Sequence, residues 1–168
     1  MKKLLILGLA LVMLLSLCAC TPKSEGQDAD TSVETTQSKQ AKDLNMQSLY
    51  DAFGKAADLS EMEVWDDLEF FGIEPGDVKQ AVLAVHGPGT QADEIWLIEA
   101  VDADAAKAIA ELAESHRKYQ SDMYSKYAPE QHKVLEKAEI LQSGNYVVMI
   151  VSPEVEKLVK VFHQETGL

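Results

Sequence analysis

From Met46 onward the apolar positions recur with two different periods, and their order predicts an α+β domain. Leu49, Tyr50, Phe53 and Ala57 fall at helical spacing, so a first helix spans Met46 to Ala57, with Gly54 as its weak point. Ser60 and Glu63 form a capping box, Leu59 is placed to staple onto Val64, and Val64, Trp65, Leu68 and Phe71 share one helical face. This predicts a second helix, ended by Gly72 in a left-handed conformation with Ile73 set to touch Leu68, before Pro75-Gly76 turns the chain. The period then becomes two. Lys79 to His86 carries Ala81, Leu83 and Val85 on one face and Val82 and Ala84 on the other, while Glu94 to Val101 is apolar on both faces through Ile95, Trp96, Leu97 and Ile98. Gly87-Pro88-Gly89-Thr90 between them reads as a hairpin loop.

The second half repeats the order. Asp102 or Asp104 can cap a long helix whose Ala105, Ile109, Leu112, His116, Tyr119 and Met123 form a stripe facing the core, with Pro129 closing the region. A third strand runs near Ala138 to Gln142, Ser143-Gly144-Asn145 turns, and Tyr146 to Val151 is a fourth strand of dense β-formers. Ser152 caps a last helix with Pro153 in its first position and Val155, Leu158, Val159 and Phe162 on its buried face. The expected fold is α+β: a four-stranded, mainly antiparallel sheet with helices on one face, in the order α-α-ββα-ββα, forming a single globular domain over residues 43–168. Those 126 residues are enough to bury about two-thirds of the unfolded surface.

The chain ahead of this domain has a different character. Lys2 and Lys3 precede an apolar run from Leu4 to Leu17, and Leu17-Cys18-Ala19-Cys20 places a small residue just before a cysteine, the pattern of a secretory signal peptide over residues 1–19. The run is 14 residues long, short of the roughly 20 that cross a bilayer. Thr21 to Lys42 is polar with Val33 as its only large apolar residue, so residues 20–42 are expected to form a disordered tether with a reach of about 25 Å. With Cys18 leaving in the signal peptide, no cysteine pair remains for a disulfide or a metal site.

Charge narrows the partners. Without Lys2 and Lys3, 13 basic residues stand against 28 acidic ones, a net charge of −15. So acidic a domain offers no basic stripe to a phosphate backbone, and nucleic acid is excluded as a partner. Asp58, Glu61, Glu63, Asp66, Asp67, Glu69, Glu74 and Asp77 follow one another with no Lys or Arg between them. They lack the Asp-x-Asp-x-Asp-Gly spacing of a calcium loop and read first as a solvated helix face.

Catalytic motifs are absent: there is no complete dinucleotide loop, P-loop, Gly-x-Ser-x-Gly elbow or His-Glu-x-x-His helix. No cofactor, metal ligand set or catalytic residue is assigned. His116 reads as a core or boundary histidine, and His132 and His163 as surface positions. His86, at the hairpin mouth near Asp93, can be either a strand-end histidine or half of an acid/base pair. Tyr119, Met123, Tyr124 and Tyr127 form the candidate binding cluster, since tyrosine and methionine suit adaptable contact surfaces; the alternative is ordinary core at the sheet edge.

The Leu17-Cys18-Ala19-Cys20 segment resembles the lipobox of bacterial lipoproteins, which implies cleavage before Cys20 and diacylglycerol on its sulfur. Together with the polar tether, Phe71-Gly72-Ile73, Ala92-Asp93-Glu94-Ile95 and Ser143-Gly144-Asn145-Tyr146, it resembles an uncharacterised domain-of-unknown-function family found in lipoproteins of Gram-positive bacteria. The resemblance covers roughly Met46 to Phe162 and implies a location on the outer face of the cell membrane, held by lipid on Cys20. The expected function is a noncatalytic binding or accessory module with an envelope protein or peptide partner; the alternative is an envelope hydrolase or metal-assisted enzyme using His86 and nearby carboxylates.

Overall fold

A computed structural model describes residues 44–167. The segments expected to form a signal peptide and a tether, with Cys20, lie outside the described residues. Helix α1 (Met46–Ala56) is followed by strands β1 (Met62–Trp65), β2 (Val78–His86) and β3 (Glu94–Ala100), helices α2 (Ala103–Tyr127) and α3 (Pro129–Glu136), strands β4 (Glu139–Ser143) and β5 (Tyr146–Val151), and helix α4 (Val155–Thr166). The fold is α+β, but the sheet has five strands rather than four, all pairs antiparallel, in the order β1-β2-β3-β5-β4.

The fifth strand comes from the segment expected to be the second helix. Met62 to Trp65 pairs with the outer edge of β2, from Met62 opposite His86 to Trp65 opposite Leu83. Val64 and Trp65 suit a strand as well as a helix, and an open edge beside β2 decides between them. The Ser60–Glu63 capping box does not form; Asp58 Oδ1 instead accepts from the Ser60 backbone N–H at 3.0 Å. The end of that prediction holds. Glu69 to Phe71 makes one 3-10 turn, Gly72 has φ of 75°, and the Ile73 N–H donates to the Leu68 carbonyl at 3.0 Å.

Helices cover both faces of the sheet, not one. Against one face lie α1 and α4, where Leu49, Phe53, Leu158 and Phe162 pack on Val82, Ala84, Ile95, Leu97, Val148 and Ile150. Against the other lie α2 and α3, where Ala106, Ile109, Ala113 and Leu135 pack on Leu83, Trp96, Ile98, Val147 and Met149. This explains why β3 and β5 are apolar at successive positions: each side chain points into one of two cores. Pro129, expected only to end the preceding helix, opens α3, whose Leu135 is fully buried. The turn at Gly144-Asn145 closes the β4–β5 hairpin with Gly144 at φ of 56°, as its residues require.

Candidate functional site

The sheet and α2 part company at the end where β2 finishes and β3 begins. The 25-residue α2 is capped by Asp102, whose Oδ1 accepts from the Ala105 N–H at 2.9 Å, and its first half lies on the sheet through Ala105, Ala106, Ile109 and Ala113. Its second half extends beside the β2–β3 loop. There Tyr124 Oη donates to the Gln91 carbonyl at 3.1 Å, and Gln131 Oε1 of α3 accepts from the Ala92 N–H at 2.8 Å. Two helices thus fix the loop.

Between β3 and α2 sits a carboxylate the sequence pattern did not single out. Glu94 is only 2% exposed. It accepts from Trp96 Nε1 at 2.6 Å and from Gln120 Nε2 at 2.6 Å, and His116 Nε2 lies 3.0 Å from its Oε1. Glu94 and Trp96 share a face because they are two apart on β3; that spacing was the available signal, hidden by counting only apolar positions. The same network corrects the predicted α2 stripe. Leu112 and His116 are half-buried, but Tyr119 is 65% exposed and Met123 is exposed, because the polar His116 and Gln120 turn toward Glu94 instead.

Two adjoining hollows open at this end and share His86, Gln91 and Asp93. The first, about 310 Å³, is bordered also by Asp58, Ser60, Glu61 and Met62. The second, about 260 Å³, has an aromatic wall of Trp65, Phe70 and Phe71 facing Glu94, His116, Gln120 and Tyr124. The wall is a contiguous stack: ring centroids lie 5.0 Å apart for Trp65 and Phe70, 5.2 Å for Phe70 and Phe71, and 5.5 Å for Phe71 and Trp96. Neither hollow is bordered by a lysine or an arginine.

His86 and Asp93, the candidate acid/base pair, are hydrogen-bonded through their backbones and not through their side chains. The His86 N–H donates to the Asp93 carbonyl at 3.0 Å, and His86, 6% exposed, places its Nε2 3.2 Å from Glu61 Oε2. Burial pushes the Asp93 carboxyl above its ordinary value; the charge of His86 pulls against that rise and the charge of Glu61 adds to it. Three buried side-chain atoms have no partner among the described residues: His86 Nδ1, Asp93 Oδ2 and Gln120 Oε1. All three residues border the second hollow.

The four residues of the predicted binding cluster differ in exposure, although the Tyr124 and Tyr127 rings lie together with centroids 5.4 Å apart. Tyr119 and Tyr127 are 65% and 63% exposed and Met123 is exposed, whereas Tyr124 is half-buried and holds the loop; burial raises its phenol above the ordinary value, with further rises from Tyr127, Glu94 and Asp93. The acidic segment is solvated, but on β1 and turns rather than on a helix. His132, expected at the surface, is half-buried and pairs its Nδ1 with Ser121 Oγ at 3.0 Å, with Glu136 3.6 Å from its Nε2. This set resembles a nucleophile, a base and an acid, but it borders neither hollow and serves to join α2 to α3. Among the described residues no group of three or more His, Cys, Asp and Glu is arranged to hold a metal ion, and no helix is long and apolar enough to cross a membrane.

No curated protein and no solved structure matches this chain. The model of a domain of unknown function, DUF4358, matches residues 55–152, a stretch that contains every residue bordering the two hollows; the chain belongs to that family.

Proposed function

We propose that this protein is an extracytoplasmic lipoprotein, held to the membrane by lipid on Cys20, whose folded domain binds a small ligand in the paired hollows around His86 and Asp93. The observation that carries the binding reading is the trio of buried, unpartnered polar atoms at His86, Asp93 and Gln120. An unsatisfied buried polar group costs about 1–3 kcal/mol, and such a cost is kept in a fold where a ligand can offset it. Fixing the loop through Tyr124 and Gln131 supports the same reading, since a preorganised cleft loses less entropy on binding. The hydrolase alternative is weaker. The partner of His86 Nε2 is the Glu61 carboxylate rather than a hydroxyl, and Ser60, the serine bordering the first hollow, hydrogen-bonds to Asp58.

A screen of small polar compounds against the full chain, read by tryptophan emission, tests the binding reading because Trp65 stands in the wall. Hits should saturate and should weaken in Phe70→Ala, an exposed wall position whose loss leaves the core intact. Hits indifferent to that change would move the site elsewhere, and turnover of a hit that disappears in His86→Gln would replace binding with catalysis. The anchor has its own test: Cys20→Ser should release the protein or leave an uncut precursor, and retention in the membrane fraction at mature size would remove the lipoprotein reading.

A further inference from the structure

The unpartnered atoms specify what the ligand must carry. Glu61 is a carboxylate facing His86 Nε2 at 3.2 Å, so in the neutral imidazole the ring proton belongs on Nε2 and Nδ1 is left as an acceptor. Gln120 points its Nε2 at Glu94 Oε2 at 2.6 Å; turned over, its oxygen would face a carboxylate oxygen, so the free Oε1 is also an acceptor. Asp93 Oδ2 is the third. A hollow whose free polar atoms are all acceptors has no use for a ligand that offers only acceptors. It needs N–H donors.

Charge and shape restrict the choice further. No lysine or arginine borders either hollow, while Asp93, Glu94 and Glu61 do. The opposite wall is Trp65, Phe70 and Phe71, whose ring faces attract a cation and whose apolar surface takes a short carbon chain. At about 260 Å³ the second hollow is small for a ligand site and equals roughly nine water volumes. Resting on the binding reading above, we infer that the second hollow binds a small primary ammonium compound, its N–H donors shared among His86 Nδ1, Asp93 Oδ2 and Gln120 Oε1 and its carbon body on the aromatic wall. The burial that holds the Asp93 carboxyl above its ordinary value agrees with this, since an arriving cation would relieve it.

Four probes of similar size separate the elements of this inference: butylammonium, tetramethylammonium, butyrate and butanol, each titrated calorimetrically into the full chain in nonionic detergent. Butylammonium should bind saturably, and tetramethylammonium, a cation without N–H groups, at least about tenfold more weakly, the loss expected for charge-assisted hydrogen bonds. Asp93→Asn and, separately, Phe70→Ala should each weaken butylammonium by a comparable factor, with thermal unfolding showing both variants folded. If tetramethylammonium, butyrate or butanol binds as well as butylammonium, the hollow is a site but its ligand is not a primary ammonium. If none of the four binds, or if butylammonium binds equally to both variants, the hollow holds solvent only and the binding reading falls with this one.

Discussion

The two faces of the sheet are built to different rules. Where α1 and α4 cover it, the interior is large aliphatic and aromatic side chains, and polar ties sit at the margin: Tyr146 Oη accepts from the Leu44 N–H at 3.3 Å, and Gln80 binds the Met46 N–H and the Leu44 carbonyl at 3.0 and 2.8 Å. Where α2 and α3 cover it, the helix side of the contact is mainly alanine, so α2 approaches closely over its first half and then leaves the sheet. At that departure the core gives way to Glu94, His116 and Gln120, and beyond them to the hollows. A dry face supplies stability; the other gives some of it up to hold charged and unpaired groups in place. Every residue of the second kind lies within the family's matched stretch, while α4 and most of α1 lie outside it.

The sharpest break of this comparison is a cavity on the dry face. Phe53→Ala or Phe162→Ala, each removing a fully buried ring, should cost about 3–5 kcal/mol in urea unfolding. Leu112→Ala on the α2 side, at a half-buried position, should cost about 1 kcal/mol. Equal losses at all three would mean that the faces contribute alike.

What was legible in the sequence follows the same division. The strands β2, β3 and β5 and the helices α1 and α4 were readable because their partners are apolar and their periods unbroken. The run of Ile95, Trp96, Leu97 and Ile98 even carried the sign of two covered faces, which a one-sided layer cannot accommodate. Strand β1 was not legible, since its four residues become a strand only by meeting the free edge of β2. The hollow was half legible: His86 and Asp93 stood out as chemistry at a hairpin mouth, but Glu61, Glu94 and Gln120 enter through tertiary contacts 22 to 26 residues away in the chain.

A second test takes the network apart. Glu94→Ala leaves Trp96 Nε1, His116 and Gln120 without their shared acceptor and should cost about 3 kcal/mol. Glu94→Gln keeps an acceptor for one of them and should cost about half as much. A loss below about 0.5 kcal/mol for the alanine variant would show that the network contributes nothing to docking α2.

Third is the tie between α2 and the loop. Tyr124→Phe removes only the hydroxyl that reaches the Gln91 carbonyl, so it should cost about 1 kcal/mol and increase amide exchange across Gly87 to Ala92. Tyr119→Ala, on the exposed side of the same helix, should stay within about 0.5 kcal/mol and leave the loop protected. Unchanged exchange in Tyr124→Phe would assign loop order to Gln131 alone.

The smallest effect runs the other way, toward stability. Burial raises the Asp93 carboxyl in the folded chain, so across the window above its ordinary value the folded state binds more protons than the unfolded state, and stability falls as pH rises. The cost is therefore absent in acid below the ordinary carboxylate range, grows as pH rises through the raised folded value, and is complete above it. Asp93→Asn, which keeps the shape and cannot ionise, should match the wild type in acid and exceed it by about 0.5–1 kcal/mol at neutral pH, the usual gain when a functional position is relieved of strain. Because the same variant should lose butylammonium, stability and binding would move in opposite directions at one side chain. A variant less stable than the wild type at neutral pH would instead make Asp93 a structural carboxylate and give both faces of the sheet the same purpose.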